Sequence, residues 1–146
     1  MTHVVSMRLR DEQLERLQRI ARRMGRTQSE TSALLVEEGL RQAEFGLVDF
    51  RDSPVGRQAY VQGSTLAVWE VVMVAQEHAL DEEATARALG WPVARVRAAL
   101  NYAAAFSEEV AMAIADNDAM DLITLGRAVP ATEVFSVGVG HNDDSL

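Results

Sequence analysis

The chain has 146 residues and a mass of 16.0 kDa, room for one ordinary domain or two small ones, and its 48% hydrophobic and 25% charged residues exclude both a large multidomain enzyme and a disordered chain. With no cysteine there is no disulfide framework, thiolate nucleophile or sulfur-ligated zinc site, and with no signal-like or bilayer-length apolar run the expectation is a cytoplasmic protein without a membrane partner. A net charge of −8 excludes a protein whose whole surface tracks nucleic acid, but residues 1–45 hold eight arginines against seven acids while the remainder holds six against fifteen.

Residues 5–9 alternate, so a strand puts Val5, Met7 and Leu9 on one face and Ser6 and Arg8 on the other. Asp11 is the expected N-cap of an amphipathic helix, with Glu12 and Glu15 in its first turns, Leu14, Leu17, Ile20, Ala21 and Met24 on its apolar side, and Arg22, Arg23 and Gly25 at its close. A capping box, Thr27-Gln28-Ser29-Glu30, opens a second helix with an inner face of Ser32, Leu35, Val36, Gly39, Leu40 and Ala43.

A lone strand has unpaired edges, and about 45 residues with two helices bury too little apolar surface to be stable alone. No second strand is close enough for a hairpin. A second copy of the chain solves both problems: the two strands pair antiparallel across a two-fold axis, four helices cover one face, and the other face is left as a ribbon of the size that enters the DNA major groove.

The run Val-Ser-Met-Arg-Leu-Arg-Asp-Glu (5–12), then Leu-Glu-Arg-Leu (14–17) and Gly-Arg-Thr-Gln-Ser-Glu (25–30), resembles the ribbon-helix-helix DNA-binding domain of the Arc, MetJ and CopG type over about residues 3–45. The resemblance implies an obligate homodimer on operator DNA, with Val4, Ser6 and Arg8 at base edges and Arg26, Thr27 and Ser29 at the phosphates. Arg8 has the chemistry for guanine, whose O6 and N7 a guanidinium bonds together, and Val4 for a thymine methyl. Arg10 departs from the family, many of whose members have Pro there. The competing reading is a solvated Arg8 on an exposed strand. The exclusive use of arginine over lysine has a plain source in a GC-rich genome.

After residue 46 short alternating segments replace the helical period: 47–51, a turn through 52–56, then 58–61 and a break at Gly63, which predict a hairpin. Helices follow over 68–80, from Asp81-Glu82-Glu83 to Leu89-Gly90, from Pro92 to about Phe106, and from Ser107-Glu108-Glu109 onward. Seven of the eight aromatics lie in this part, which supplies its core. The helix, Gly90 turn and helix over 81–106 have helix-turn-helix form, with Arg95 and Arg97 on the second helix. Fifteen acids over residues 46–146 oppose DNA, so structural tri-helical packing is the favoured reading over a second DNA reader.

Residues 57–65, Val68-Trp69-Glu70-Val71, Asp81-Glu82-Glu83 and 98–102 resemble a small helix-turn-helix-like domain of VapB-like antitoxins, encoded beside PIN-like ribonuclease toxins. The fold expected is mostly α. A ribbon-helix-helix domain occupies 1–45, a tri-helical module with a short β-hairpin 46–115, and an acidic, partly extended toxin-binding tail 116–146. The two resemblances together imply a type II antitoxin that represses its own operator and neutralises a toxin protein. By analogy Asp116, Asp118, Asp121 and Arg127 meet the toxin, against the alternative of a solvated, frayed terminus. The runner-up is a ribbon-helix-helix regulator without a toxin, its second module serving oligomerisation; a third is an interaction protein that never meets DNA. His3, His78 and His141 are scattered, and the lone Gly-x-Gly at 138–140 precedes no helix. No metal, cofactor or catalytic residue is therefore expected, and the chain does not read as an enzyme.

Overall fold

The structure, a computed structural model, describes residues 1–128; residues 129–146 of the predicted tail, with the Gly-x-Gly and His141, lie outside the described residues. It is mostly helical, with one two-stranded antiparallel sheet, in the order α1 (Asp11–Met24), α2 (Gln28–Glu44), β1 (Val48–Ser53), β2 (Gly56–Val61), α3 (Val68–Glu77), α4 (Glu82–Leu89), α5 (Val93–Ala105) and α6 (Ser107–Ala128). No helix among the described residues is long and apolar enough to cross a membrane.

Residues 1–10 are exposed throughout and carry no secondary structure. A strand at 5–9 has no ladder partner within a single chain, and without one its backbone groups bond to water. The first helix begins one residue earlier than predicted: Arg10 is the extended N-cap, its N–H donated to Gln13 Oε1 at 3.0 Å, and Asp11 is the first helical residue. Asp11 still lies where the helix dipole favours a carboxylate. At the other end Gly25, in the left-handed region at φ 64°, lets the chain turn back into the second helix.

The Thr27–Glu30 capping box forms as the sequence predicts, with the Thr27 N–H donated to Glu30 Oε2 (2.9 Å) and the Glu30 N–H to Thr27 Oγ1 (3.2 Å). The second helix turns one face to the rest of the chain and another to solvent. Leu34, Glu38, Arg41 and then Phe45 form a stripe of helical spacing, all buried or half-buried, whereas Val36, Gly39, Leu40 and Ala43 of the predicted inner face meet solvent in the single chain.

The hairpin forms where predicted, but both strands run into the predicted 52–56 turn, β1 to Ser53 and β2 from Gly56. Ser53 pairs with Gly56 around the two-residue loop Pro54-Val55, and Gly56 takes φ 114°, which only glycine tolerates. Leucine 80 does not belong to α3, which ends at Glu77: Ala79 and Leu80 both take left-handed φ, 54° and 61°. This reversal returns the Leu80 N–H to the Ala75 carbonyl at 2.7 Å and frees Asp81, whose carboxylate accepts the Ala84 N–H at 2.7 Å, to cap α4.

Helices α3, α4 and α5 pack on one another, α6 lies along α3 and α5, and the hairpin closes the side nearest α2. Between them sits the core of Val48, Val61, Val68, Val71, Ala99, Tyr102 and Val110. The Tyr102 ring meets Phe45 and Phe106 at centroid distances of 5.6 and 4.7 Å, and Phe50 at 6.3 Å. A boundary at residue 116 falls inside α6, and residues 116–128 are helical rather than extended. Val110, Ala113, Ile114 and Asn117 face inward at helical spacing, which continues the helix past the acids.

Candidate nucleic-acid interface and acidic groove

Val4, Ser6 and Arg8 all lie in the exposed N-terminal segment, Val4 at 95% exposure. Arg26 is exposed in the turn between α1 and α2, beside Thr27 and Ser29. The structure thus brings the phosphate candidates together at one helix start. It also shows a limit on them: the Thr27 amide and hydroxyl are already engaged by Glu30, so the donors open to a phosphate are the Gln28 and Ser29 amides, which have no intrahelical acceptor. Glu30 is held below the ordinary carboxylate range mainly by the Thr27 N–H, so it is anionic at neutral pH and opposes a phosphate at close range.

The acidic candidates do not form one cluster. Asp116 lies on the side of α6 that lines a groove, while Asp118, Asp121 and Arg127 are exposed along the helix and line no part of it. Asp121 is near Asn117, at 3.5 Å from its Nδ2. Arg95 lies over the Trp91 ring, 5.3 Å from its centroid, and Arg97 pairs with Glu82 at 2.9 Å. Both arginines of the second helix of that segment are therefore engaged within the module.

The groove, of about 700 Å³, runs between α2, the hairpin, the start of α3 and the first half of α6. Its floor holds two ion-pair systems that join α2 to the body. In the first, Glu38, only 6% exposed, takes the Arg57 guanidinium through Nε and Nη2, and Asp52 adds a second carboxylate at 3.3 Å. These bonds, Glu38 first, raise the Arg57 pKa.

In the second, Arg41 donates to Glu37 (2.8 Å), Glu109 (2.9 Å) and the Tyr102 hydroxyl (2.7 Å), and the hydroxyl donates to the other Glu109 oxygen at 2.7 Å. The guanidinium also lies 3.8 Å from the Phe106 centroid. Burial pulls the Arg41 pKa down, but its three acceptors outweigh that and hold it above the ordinary value; burial and the Glu109 bond raise that of Tyr102.

None of Glu38, Arg41, Arg57, Tyr102 and Glu109 stands out in the sequence as a site residue. The available signal is the 34–38–41–45 spacing opposite the apolar face, which the burial of Glu38 and Arg41 identifies as inward-facing only once the packing is known. Around the groove Glu70, Glu108 and Asp116 have no ion-pair partner among the described residues, and Trp69, Val55, Met112 and Met120 give it apolar walls. Such a lining suits a cationic side chain carried on an apolar surface. Among the described residues no three His, Cys, Asp or Glu side chains group to hold a metal ion. No protein-family model, curated protein or solved structure matches the chain.

Proposed function

We propose that the chain is a homodimeric ribbon-helix-helix repressor that serves as the antitoxin of a type II toxin-antitoxin pair, reading operator DNA with its head and covering a PIN-like ribonuclease toxin with its acidic body. The observation that carries the DNA half is the apolar surface the head leaves open in alternation with polar groups. Val5, Met7 and Leu9 are 81, 61 and 40% exposed, and Val36 and Leu40 of the second helix are 48 and 52% exposed. A second copy pairing through residues 5–9 covers that surface and turns Val4, Ser6 and Arg8 outward together. The toxin half is supported by the groove and by exposed carboxylates beside Met112, Met120 and Ile123 on α6, a surface matched to a basic partner.

Titration of the full chain and of Arg8→Ala against the DNA upstream of its own gene tests the reader. Wild type binds as a dimer or multiple of dimers with a negative salt slope, and Arg8→Ala loses about 1 to 3 kcal/mol of specific binding through one guanine in each half-site. Binding no tighter than to random DNA removes the operator reading. Co-expression with a neighbouring toxin frame that yields no complex leaves the regulator without a toxin.

A further inference from the structure

The outer face of α1 belongs to neither the base-reading segment nor the groove. From residue 16 to 26 the chain carries five arginines (16, 19, 22, 23 and 26) and no acid, in a protein of net charge −8. All five are exposed. Helical geometry sets Arg16, Arg19 and Arg23 within about 60° of one another, rising about 10 Å along the axis. With Ile20 they border a shallow concavity of about 560 Å³.

Four of the fourteen arginines, Arg41, Arg51, Arg57 and Arg97, have a carboxylate within 4.0 Å among the described residues, and Arg16, Arg19 and Arg23 are among those that have none. Glu12 and Glu15, one turn before Arg16 and Arg19, make no ion pair with them, and the three arginines are like charges at i,i+3 and i,i+4, which repel one another. In sequence the row runs on through Gly25 and Arg26 to the α2 N-terminus, where the Gln28 and Ser29 amides are open and the Glu30 carboxylate beside them is the one opposing charge.

A line of unpaired guanidinium groups leading into open backbone amides matches a line of phosphates, and about 10 Å is the axial rise of about three nucleotides of one strand. We propose that Arg16, Arg19 and Arg23 form a second DNA contact, one that tracks the sugar-phosphate backbone and reads no sequence. The proposal rests on the reading of the head as a DNA-binding module and adds to it a surface outside the ribbon.

The test is fluorescence anisotropy of the full chain on a labelled random duplex of about 30 base pairs, over about 50 to 200 mM salt. Each phosphate contact contributes about 0.9 to the slope of log K against log salt, so R16Q/R19Q/R23Q, which removes three contacts from each protomer of a dimer, flattens the slope by about 5. Glutamine keeps a helix propensity close to that of arginine, and an unchanged circular dichroism spectrum confirms the fold. R97Q, which removes an arginine already paired with Glu82, leaves the slope as it is.

An unchanged slope in the triple variant overturns the proposal. If Arg8→Ala still loses specific binding on the upstream DNA, the reader stands without the second contact. A triple variant that alters the oligomeric mass but not the slope makes the row a protein contact and also overturns it. Wild type that binds no duplex removes the proposal and the reader together.

Discussion

The body closes its own core and the head does not. In the body Val61, Val71, Val96 and Tyr102 are fully buried, drawn from a strand and two helices, and among the described residues no buried side-chain polar atom lacks a hydrogen-bond partner. In the head Leu14, Leu17, Ile20 and Met24 are only half-buried, and Val36 and Leu40 are open. Both regions have helices with sound caps, so local structure is not what separates them. The difference lies in tertiary burial, which sustains helices in water far more than propensity does. The body's stability should therefore follow its own side chains, and the head's the presence of a second copy.

The largest expected effect is at the centre of the body. Tyr102→Ala removes a fully buried ring that contacts three others and leaves Arg41 and Glu109 without their hydroxyl, at a cost of about 3 to 5 kcal/mol in denaturant unfolding. Tyr102→Phe keeps the ring and costs about 1 kcal/mol. A loss below about 1 kcal/mol for the alanine variant would mean that the body is not held by this cluster.

Next comes the joint between the regions. Arg57→Ala strands the nearly buried Glu38 carboxylate, and unfolding should show a loss of about 3 kcal/mol. Replacing both partners in E38L/R57L removes the stranded charge and recovers most of that loss. A double variant as unstable as Arg57→Ala would show that the pair is favourable in itself and not only costly to break.

On the head, Leu40→Asp separates the two explanations of an exposed apolar side chain. If solvent is its permanent neighbour, the change stays within about 0.5 kcal/mol and the solution mass is unaltered. If a second copy covers it, self-association weakens at least tenfold, about 1.4 kcal/mol, as read by sedimentation over a dilution series. The second outcome is the one expected from its alternation with Val36 and Ala43 on the face away from the body.

The same division explains what the sequence could and could not disclose. Thr27 with Glu30, Asp81, Gly25 and Gly90 mark their helix ends because a cap is satisfied within three or four residues. The hairpin was equally legible from the alternation around Pro54 and Gly56. The floor of the groove was not. Glu38 meets Arg57 across 19 residues and Arg41 meets Glu109 across 68, and a charge on an amphipathic helix reads as solvated unless the packing is known. The course of α6 past residue 116 was hidden for a related reason, since a run of acids masks the half-buried Ala113, Ile114 and Asn117 beneath it.

The smallest effect is confined to the head and to acid. Glu30 has its pKa lowered first by the Thr27 N–H and then by the Thr27 hydroxyl, against a smaller opposing effect of burial, with nearby Arg26 adding the least. A carboxyl whose folded pKa lies below its unfolded one stabilises fully above the unfolded value and loses that contribution as pH falls through the folded value. The N-terminus of α2 therefore loosens only in the acidic range, with no change near neutrality. Glu30→Gln keeps an acceptor for the Thr27 N–H but does not titrate, so its thermal midpoint should fall less than that of wild type from about pH 6 to about pH 3. Parallel decline of the two would place the acid sensitivity elsewhere, in the many exposed carboxylates of the body, and would leave the head's cap indifferent to charge.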